Sequence, residues 1–475
     1  MPSFADALER LGAIAESPVV STLASAFAAA GYELALVGGP VRDAILGRTA
    51  SDLDFTSNAT PDQILAVIAP IASAHWDIGR AFGTIGARIG GETVEITTYR
   101  SDSYDGLSRK PEVVFGDTLE QDLVRRDFTV NALALRIPEV ILVDPSGGVE
   151  DLIANKLRTP SSPEISFGDD PLRMMRAARF VAQLGFTLGE PERSAIGELA
   201  GRITGISAER VRDELSKLLC SPQPRPGIEL LVSSGLADLV LPEVPALRLE
   251  TDEHFHHKDV YQHSLTVLDQ AIGYEASRHP DQPPDLVLRL AALLHDIGKP
   301  TTRRVEPDGT VSFYHHDVVG SKLARKRLKL LRFDNETVEA VCKLISLHLR
   351  FFGYTEGVWT DSAVRRYVRD AGDQLERLHI LTRSDVTTRN RRKADRLSFA
   401  YDDLEQRIAE LSEQEEMAAV RPDLTGDQIM TILGIRPGPE VGEAYRFLLE
   451  LRLDEGALGE AEATRRLSTW WAERP

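Results

Sequence analysis

Residues Leu36–Phe55 read LVGGPVRDAILGRTASDLDF, and this stretch decides the fold of the first part of the chain. The apolar run Tyr32–Val37 that leads into Gly38-Gly39 has the pattern of a buried strand closing in a tight turn. A helix is expected from about Val41, and Asp52–Phe55 reads as a second strand. On a strand, residues two apart project to the same side. Asp52 and Asp54 are therefore expected to present two carboxylates on one face, a donor set that suits a hard divalent cation such as magnesium. Gly38 and Gly39 carry no Cβ, so a phosphate can approach the backbone there. The amides at the start of the following helix point at the same anion, and Arg42 adds a charge-assisted contact. An Asp-x-Asp pair alone is usually a capping or surface pair; its company, strand-Gly-Gly-x-x-Arg-Asp, gives it weight. Glu95, on the next expected strand, is either a third carboxylate of this site or the structural partner of an arginine.

Working outward, residues 1–31 read as helical, 60–73 as a helix and 92–99 as a strand, so roughly the first 150 residues are mixed α/β. DPSGG at 144–148 is a turn. From about 168 helical periodicity takes over, in PLRMMRAARFVAQLGF, ERVRDELSKLLC and GIELLVSSGL, with SPQPRPG (221–227) as punctuation. A histidine-rich region begins near Asp252, with HPDQPPD (279–285) as a loop between helices, and the stretch beyond 397 is helical and acidic. The expected divisions are 1–150, 151–250, 251–396 and 397–475.

The 475 residues carry a net charge of −18, which argues against indiscriminate binding to polyanions but leaves local basic patches free to act. KLARKRLKLLR from Lys322 holds six basic residues and no acid, and TRNRRKADR from Thr388 holds five with one acid. Lys322, Lys326, Lys329 and Arg332 share one helical face, which is either a solvated surface or an RNA-binding patch. No apolar run reaches the roughly 18 to 20 residues of a membrane span. The amino-terminal stretch lacks the basic and apolar regions of a signal peptide. Cys220 and Cys342 sit in separate apolar helical contexts and read as buried free thiols, which fits a cytoplasmic location.

The glycine–aspartate stretch resembles the signature of the class II tRNA nucleotidyltransferase and bacterial poly(A) polymerase family, Gly-Gly-x-Val-Arg-Asp followed by Asp-x-Asp. Three further motifs follow in the family's order. DLVRRDFTVNALAL (122–135) is similar to Arg-Arg-Asp-Phe-Thr-x-Asn-Ala. GDDPLRMMRAARF (168–180) is similar to Glu-Asp-x-x-Arg, with Asp169 in place of the glutamate. ISAERVRDEL (206–215) is similar to Glu-Arg-x-x-x-Glu. The resemblance covers about the first 245 residues. It implies that Asp52 and Asp54 carry catalytic magnesium, that Arg126 holds the triphosphate, and that Asp127 and Asn131 shape sugar recognition. A buried ion pair is the alternative for Arg126–Asp127. At helical spacing Asp170, Arg173, Arg176 and Arg179 are expected on one face. An aspartate acceptor beside a forked arginine donor can read a base edge. Cytosine and adenine both offer an exocyclic amine, whereas guanine and uracil offer a carbonyl oxygen there. The resemblance assigns that reading to Asp170 and Arg173, with Arg176 and Arg179 facing phosphates or supporting the pocket. Residues 100–116 have the composition and position of the family's flexible loop, which favours CCA addition over C-only addition.

In 254–385, His263, LLHDIGK with His295 and Asp296, YHHD with His315 and His316, His348 and Asp385 bring histidines and aspartates onto separate helices, a mixed nitrogen–oxygen set that suits a divalent metal. The pattern resembles the HD phosphohydrolase superfamily, with His263, His295, Asp296 and Asp385 as ligands and His316 and His348 as accessory ligands or phosphate contacts.

Together these readings give an α+β protein: a polymerase-β-like nucleotidyltransferase head, then a mostly α-helical neck, an HD domain and a helical tail. The expected activity is template-independent addition of CCA to the tRNA 3′ end from CTP and ATP, with magnesium in the head and a second divalent metal in the HD domain. No membrane partner is expected, and no oligomeric state is assigned. The rivals are a poly(A) polymerase with the same head, or a metal-dependent hydrolase whose head only binds RNA.

Overall fold

A computed structural model describes residues 4–48, 53–77, 80, 83–103, 112–115, 118–248, 259–351, 353–354, 359–387, 390–415 and 421–474. The chain divides into two compact units, Met1–Val240 and Leu241–Pro475.

The first unit is built on a seven-stranded sheet. Its strands are β1 (Leu34–Val37), β2 (Leu53–Ser57), β3 (Ala74–Trp76), β4 (Thr84–Ile89), β5 (Glu92–Thr98), β8 (Ala134–Ile137) and β9 (Ile141–Val143). Arg100–Ser103 (β6) and Glu112–Phe115 (β7) form a separate antiparallel pair. The sheet order is β3-β4-β5-β2-β1-β8-β9, and β2 with β5 is its one parallel pairing among the described residues. The alternation of β5 sets its two faces: Val94, Ile96 and Thr98 are buried, while Glu95 is exposed and Thr97 half-buried. Helices Pro18–Ala29 and Pro61–Ile68 pack on the sheet through buried Leu23, Phe27, Ile64 and Ile68, and leave the Glu95 face open. The helical stretch expected at 1–31 is two helices, Phe4–Ala15 and Pro18–Ala29, because Pro18 has no amide to continue the first one. The helix after Gly38 begins at Gly39, two residues earlier than expected, with Pro40 in its first turn.

The helices Leu172–Leu184, Ala208–Leu219 and Pro224–Ser233 pack together as the rest of this unit. Asp170 lies before the first of them in extended conformation, with φ −134° and ψ 99°, so it does not share a helical face with Arg173, Arg176 and Arg179 as expected. Its carboxylate instead accepts from the Leu172 amide at 3.1 Å, because a short acceptor two residues ahead of a helix satisfies an otherwise unpaired N–H.

Among the described residues the second unit is helical apart from one short antiparallel pair, Arg304–Val305 with Val311–Ser312. Val260–Arg278, Leu286–Leu294, His316–Leu330, Asn335–Leu347 and Leu375–Ser384 surround one core, and Arg391–Glu415 follows. Gly426–Leu433, Pro439–Glu455 and Glu460–Ala472 bury Ile429, Ala444, Leu448, Ala463 and Leu467 in a small core of their own. Cys342 is buried as expected, Cys220 is half-buried, and both are free thiols. Among the described residues no single helix is long and apolar enough to cross a membrane.

Candidate active site and metal centre

Strand register places the head's acidic residues. Asp54 on β2 is the direct partner of Glu95 on β5. Side chains paired in register stand on the same face about 5 Å apart, so the two carboxylates face the same space. Asp52 lies outside the described residues. A cavity of about 460 Å³ opens on this face, lined by Asp54, Glu95, Thr84, Thr97, Val37, Arg100, Arg125, Arg126, Arg173 and Arg176, with Phe55 completing its wall. Two carboxylates and five arginines around one cavity can hold a cation and a polyphosphate together.

Of the residues named from sequence, the cavity gathers Asp54, Glu95, Arg126, Arg173 and Arg176. Gly38 borders it: with φ +75°, its missing Cβ leaves room 3.5 Å from Arg126 Nη1. Gly39, beside Arg42, is the first helical residue. Arg42, Arg179 and Asp170 are not among the lining residues. Arg42 is buried, holding Asp43 through two hydrogen bonds of 2.9 and 3.0 Å and donating to Asn131 Oδ1 at 2.7 Å. Asn131 donates to Asp127 Oδ1 at 3.0 Å, and Asp127 accepts from Arg176 Nε at 2.7 Å. Arg179 pairs with buried Glu214 at 2.8 Å and stacks its guanidinium 4.2 Å from the Phe180 ring. The Arg126–Asp127 alternative of a buried ion pair is realised with different partners, Arg176 for Asp127 and Asp122 for Arg126. Burial opposes ionisation of Asp127, but Arg176 and the Asn131 amide more than offset it and bring its pKa down to about 2.

Asp170 Oδ2 accepts from Arg210 at 2.9 Å. Arg173 donates to Ser166 Oγ at 2.9 Å and to the Arg125 carbonyl at 2.5 Å. Both base-reading candidates thus have protein partners.

Sequence reasoning gave no role to Asp122, which is completely buried. Its Oδ1 accepts from the Arg100 amide at 3.2 Å and Arg125 Nε at 3.1 Å, and its Oδ2 accepts from Arg126 Nη2 at 3.1 Å. Thr56 Oγ1 on β2 stands 3.3 Å away. One carboxylate therefore sets two cavity arginines, the start of β6 and the strand that bears Asp54. Burial disfavours its charge, and Arg126 and Arg125 overcome that and lower its pKa. Its place three residues ahead of the Arg-Arg pair does not by itself mark it, because Arg100 and Thr56 reach it only through the fold. Where a loop was expected at 100–116, 100–103 and 112–115 form the β6–β7 strand pair, and 104–111 and 116 lie outside the described residues.

The second unit brings its six predicted donors together at helix ends. His295, His348 and Asp385 each directly follow the last residue of a helix, and His316 opens one. Three helix C-termini thus point partial negative charge at one place, which favours a cation. His263, His295 and Asp385 form one donor group; Asp296, His316 and His348 form another. Asp296 joins the two: its Oδ2 lies 3.2 Å from His295 Nε2 and 3.4 Å from His263 Nε2, and its Oδ1 lies 3.2 Å from His316 Nε2. His263 Nε2 stands 2.9 Å from Asp385 Oδ1.

The tautomers follow from the backbone. Nδ1 of His295, His316 and His348 faces the carbonyl three residues earlier, at 2.9, 2.8 and 2.6 Å. A carbonyl only accepts, so each Nδ1 carries hydrogen and each neutral ring turns its Nε2 lone pair inward, as a metal ligand requires. His316 Nε2 is buried against Asp296 Oδ1, and His348 Nε2 is buried with no hydrogen-bond partner among the described residues. Burial opposes a charge on His295, yet Asp296 and Asp385 raise its pKa to about 10, whereas burial and the His295 charge lower that of His348 to about 4. The carboxylates call for a positive charge, and a proton on His295 or a metal ion supplies it. Lys299 also reaches Asp296 Oδ2, at 2.6 Å. A Cβ on Gly298 would fall 2.0 Å from the His316 carbonyl, so this glycine lets the His316 helix cross closely enough to bring its ring to Asp296.

Lys322, Lys326, Lys329 and Arg332 are exposed, while Arg325 and Arg327 on the same helix pair with Glu339 and Glu243. In the second basic segment Arg391 and Arg392 are exposed, and 388–389 lie outside the described residues.

Comparison with known proteins agrees with this layout. Residues 34–158 match the model of the poly A polymerase head domain, 185–247 that of a probable RNA and SrmB-binding site of polymerase A, and 260–390 that of the HD domain. The chain is 38% identical over 449 residues to an A-adding tRNA nucleotidyltransferase of Deinococcus radiodurans, covering 92% of this chain and 95% of that one. It is 32% identical over 443 residues to a CC-adding tRNA nucleotidyltransferase of Thermus thermophilus, covering 92% and 93%. A CCA-adding enzyme of Geobacillus thermodenitrificans is 40% identical over 208 residues, 44% of this chain and 50% of that one. In fold, the chain is similar to a solved Bacillus stearothermophilus CCA-adding enzyme in complex with CTP, with a TM-score of 0.67, 24% identity and coverage of 96% and 98%. Sustained at 38% identity along almost the whole of both sequences, this likeness places the chain in the tRNA nucleotidyltransferase family that shares its head with poly(A) polymerases.

Proposed function

We propose that the chain completes the 3′ end of tRNA, adding CCA from CTP and ATP without a nucleic-acid template. The observation that carries the reading is the pairing of Asp54 with Glu95 across β2 and β5, inside a cavity ringed by arginines. Asp54 and Glu95 offer the oxygen donors that magnesium prefers and would hold it, and the Asp-x-Asp motif adds Asp52 as a further candidate ligand. When bound, that ion activates the attacking 3′-hydroxyl and neutralises the departing pyrophosphate. Arg126, beside Gly38, grips the triphosphate, and Arg125, Arg100 and Arg176 complete the positive ring. Asp170 and Arg173 read the base by exchanging their present partners, Arg210, Ser166 and the Arg125 carbonyl, for the base edge. The exposed lysines 322, 326 and 329 contact the RNA backbone.

The test is a transcript ending just before CCA, offered CTP and ATP singly and together. Three added residues and a stop support the proposal, and a long adenylate tail supports a poly(A) polymerase. A second reading, A-addition only, is favoured by the 38% identity to the A-adding relative. It predicts extension of a transcript ending in CC and none of the shorter one.

In the second unit, the inward Nε2 lone pairs and the shared Asp296 fit divalent metal, and the chemistry such a site supports is hydrolysis of phosphate esters. Turnover of a 2′,3′-cyclic phosphate or p-nitrophenyl phosphate with added transition metal, absent from the His295→Ala/Asp296→Ala double variant, supports this. Equal rates in both enzymes would refute it.

A further inference from the structure

The sheet register runs past the carboxylates to an aromatic ring. Asp54 pairs with Glu95, Glu95 with Gly86 on β4, and Gly86 with Trp76 on edge strand β3. Residues paired in register share one face. Trp76 therefore stands on the face that carries the carboxylates. A Cβ on Gly86 would fall 2.0 Å from Trp76 Nε1 and 2.2 Å from Cε2, so the indole occupies the space left over the bare glycine. That puts the ring one strand spacing, about 4.8 Å, from the position of Glu95 and two from that of Asp54. Trp76 is only half-buried, and the strand beyond it is the edge of the sheet. Arg88, two residues beyond Gly86 and so on the same face, is exposed.

Nucleotidyl transfer needs two occupants beside the carboxylates. The nucleoside triphosphate is accounted for by Arg126, which lies beside Gly38 after β1, and by the Leu172–Leu184 helix. In the opposite direction along the row Arg100 reaches as far as Thr84 on β4, its Nη2 3.5 Å from the Thr84 hydroxyl, and beyond it, among the described residues, stand an aromatic side chain and the exposed Arg88. We propose that Trp76 is the platform on which the terminal base of the acceptor RNA stacks, so that its sugar points at Asp54 and Glu95, with Arg88 on the adjoining phosphate. This rests on the nucleotidyltransferase reading above. Stacking tolerates any base, which suits an acceptor whose last residue is the base before CCA at the first addition and cytidine afterwards.

The experiment compares wild type, W76A and W76F on a transcript ending before CCA. Loss of one stacked base raises the KM for the RNA by about 5- to 150-fold in W76A. The KM for CTP stays within twofold, and W76F stays within threefold of wild type. Acceptor RNA also quenches the fluorescence of wild type, and the quench is lost in W76F, where Trp359, Trp470 and Trp471 remain. An unchanged acceptor KM in W76A, a raised KM for CTP instead, or an undiminished quench in W76F overturns the proposal. If W76A does not fold, the quench in wild type and W76F decides. If wild type extends no acceptor, the reading of function fails, while a Trp76-dependent quench by RNA still upholds the platform.

Discussion

Replacing Asp122 by asparagine isolates what holds the cavity arginines. The carboxylate faces three certain donors: the Arg100 amide and Arg125 Nε on Oδ1, and Arg126 Nη2 on Oδ2. An asparagine keeps one acceptor oxygen and turns an NH2 toward the other set. The less costly orientation keeps the oxygen on Arg100 and Arg125, because Thr56 Oγ1 beside Oδ2 can accept from the amide while Arg126 cannot. Arg126 then loses a charge-assisted hydrogen bond, at a cost of about 1.5–3 kcal/mol. At about 2 kcal/mol, backbone amides of β2 and β5 exchange hydrogen about 30-fold faster in the variant where they open locally. The KM for CTP rises with the displaced arginine, about tenfold, while the fold measured by circular dichroism is unchanged. Hydrogen–deuterium exchange by mass spectrometry reads the first effect and steady-state kinetics the second. Exchange within threefold of wild type together with an unchanged KM would refute the reasoning, since the carboxylate would then be neither anchoring β2 nor placing Arg126.

Other predictions follow the same geometry. Asp127 is depressed to about 2 in the folded chain from an ordinary 3.8, so its contribution is complete above about pH 4 and is lost as pH falls toward 2. The loss is about 2 kcal/mol, and urea titrations of wild type against Asp127→Asn at pH 5 and pH 2.5 show it as a smaller acid sensitivity in the variant. Gly298→Ala forces apart the HDIGK turn and the His316 carbonyl, so divalent metal retained after gel filtration falls, and plasma emission spectrometry counts it. Glu214→Gln removes the charge facing Arg176 and Arg179 and lowers the melting temperature of the first unit by several degrees, read by calorimetry.

The parts of the fold set by local pattern were legible in the sequence. The β-branched and apolar content of ETVEITTY marked β5, and the glycine pair after a buried run marked the strand-to-helix turn. The histidine donors were found because their residue types are scarce and their chemistry narrow. What escaped depends on partners far apart in the chain. Asp122 meets Arg100 and Thr56 only after the sheet closes, and nothing in its own neighbourhood separates it from a surface aspartate. Glu95 was an open choice between two roles because register, which sets it against Asp54, is fixed by strand pairing rather than by its own strand. Asp170 was placed on a helix by spacing alone, whereas Pro171 after it favours an extended residue at 170. Arg42 was read as a phosphate contact from its position after the glycines, yet the adjacent Asp43 and distant Asn131 take up its donors.

Transfer at the carboxylate face of the head is measured most directly by the rate of Asp54→Ala on a transcript lacking CCA, with labelled CTP and ATP. Loss of a carboxylate that holds the transferring centre lowers the single-turnover rate about a thousandfold, with circular dichroism and RNA affinity retained. A rate within tenfold of wild type would contradict the account.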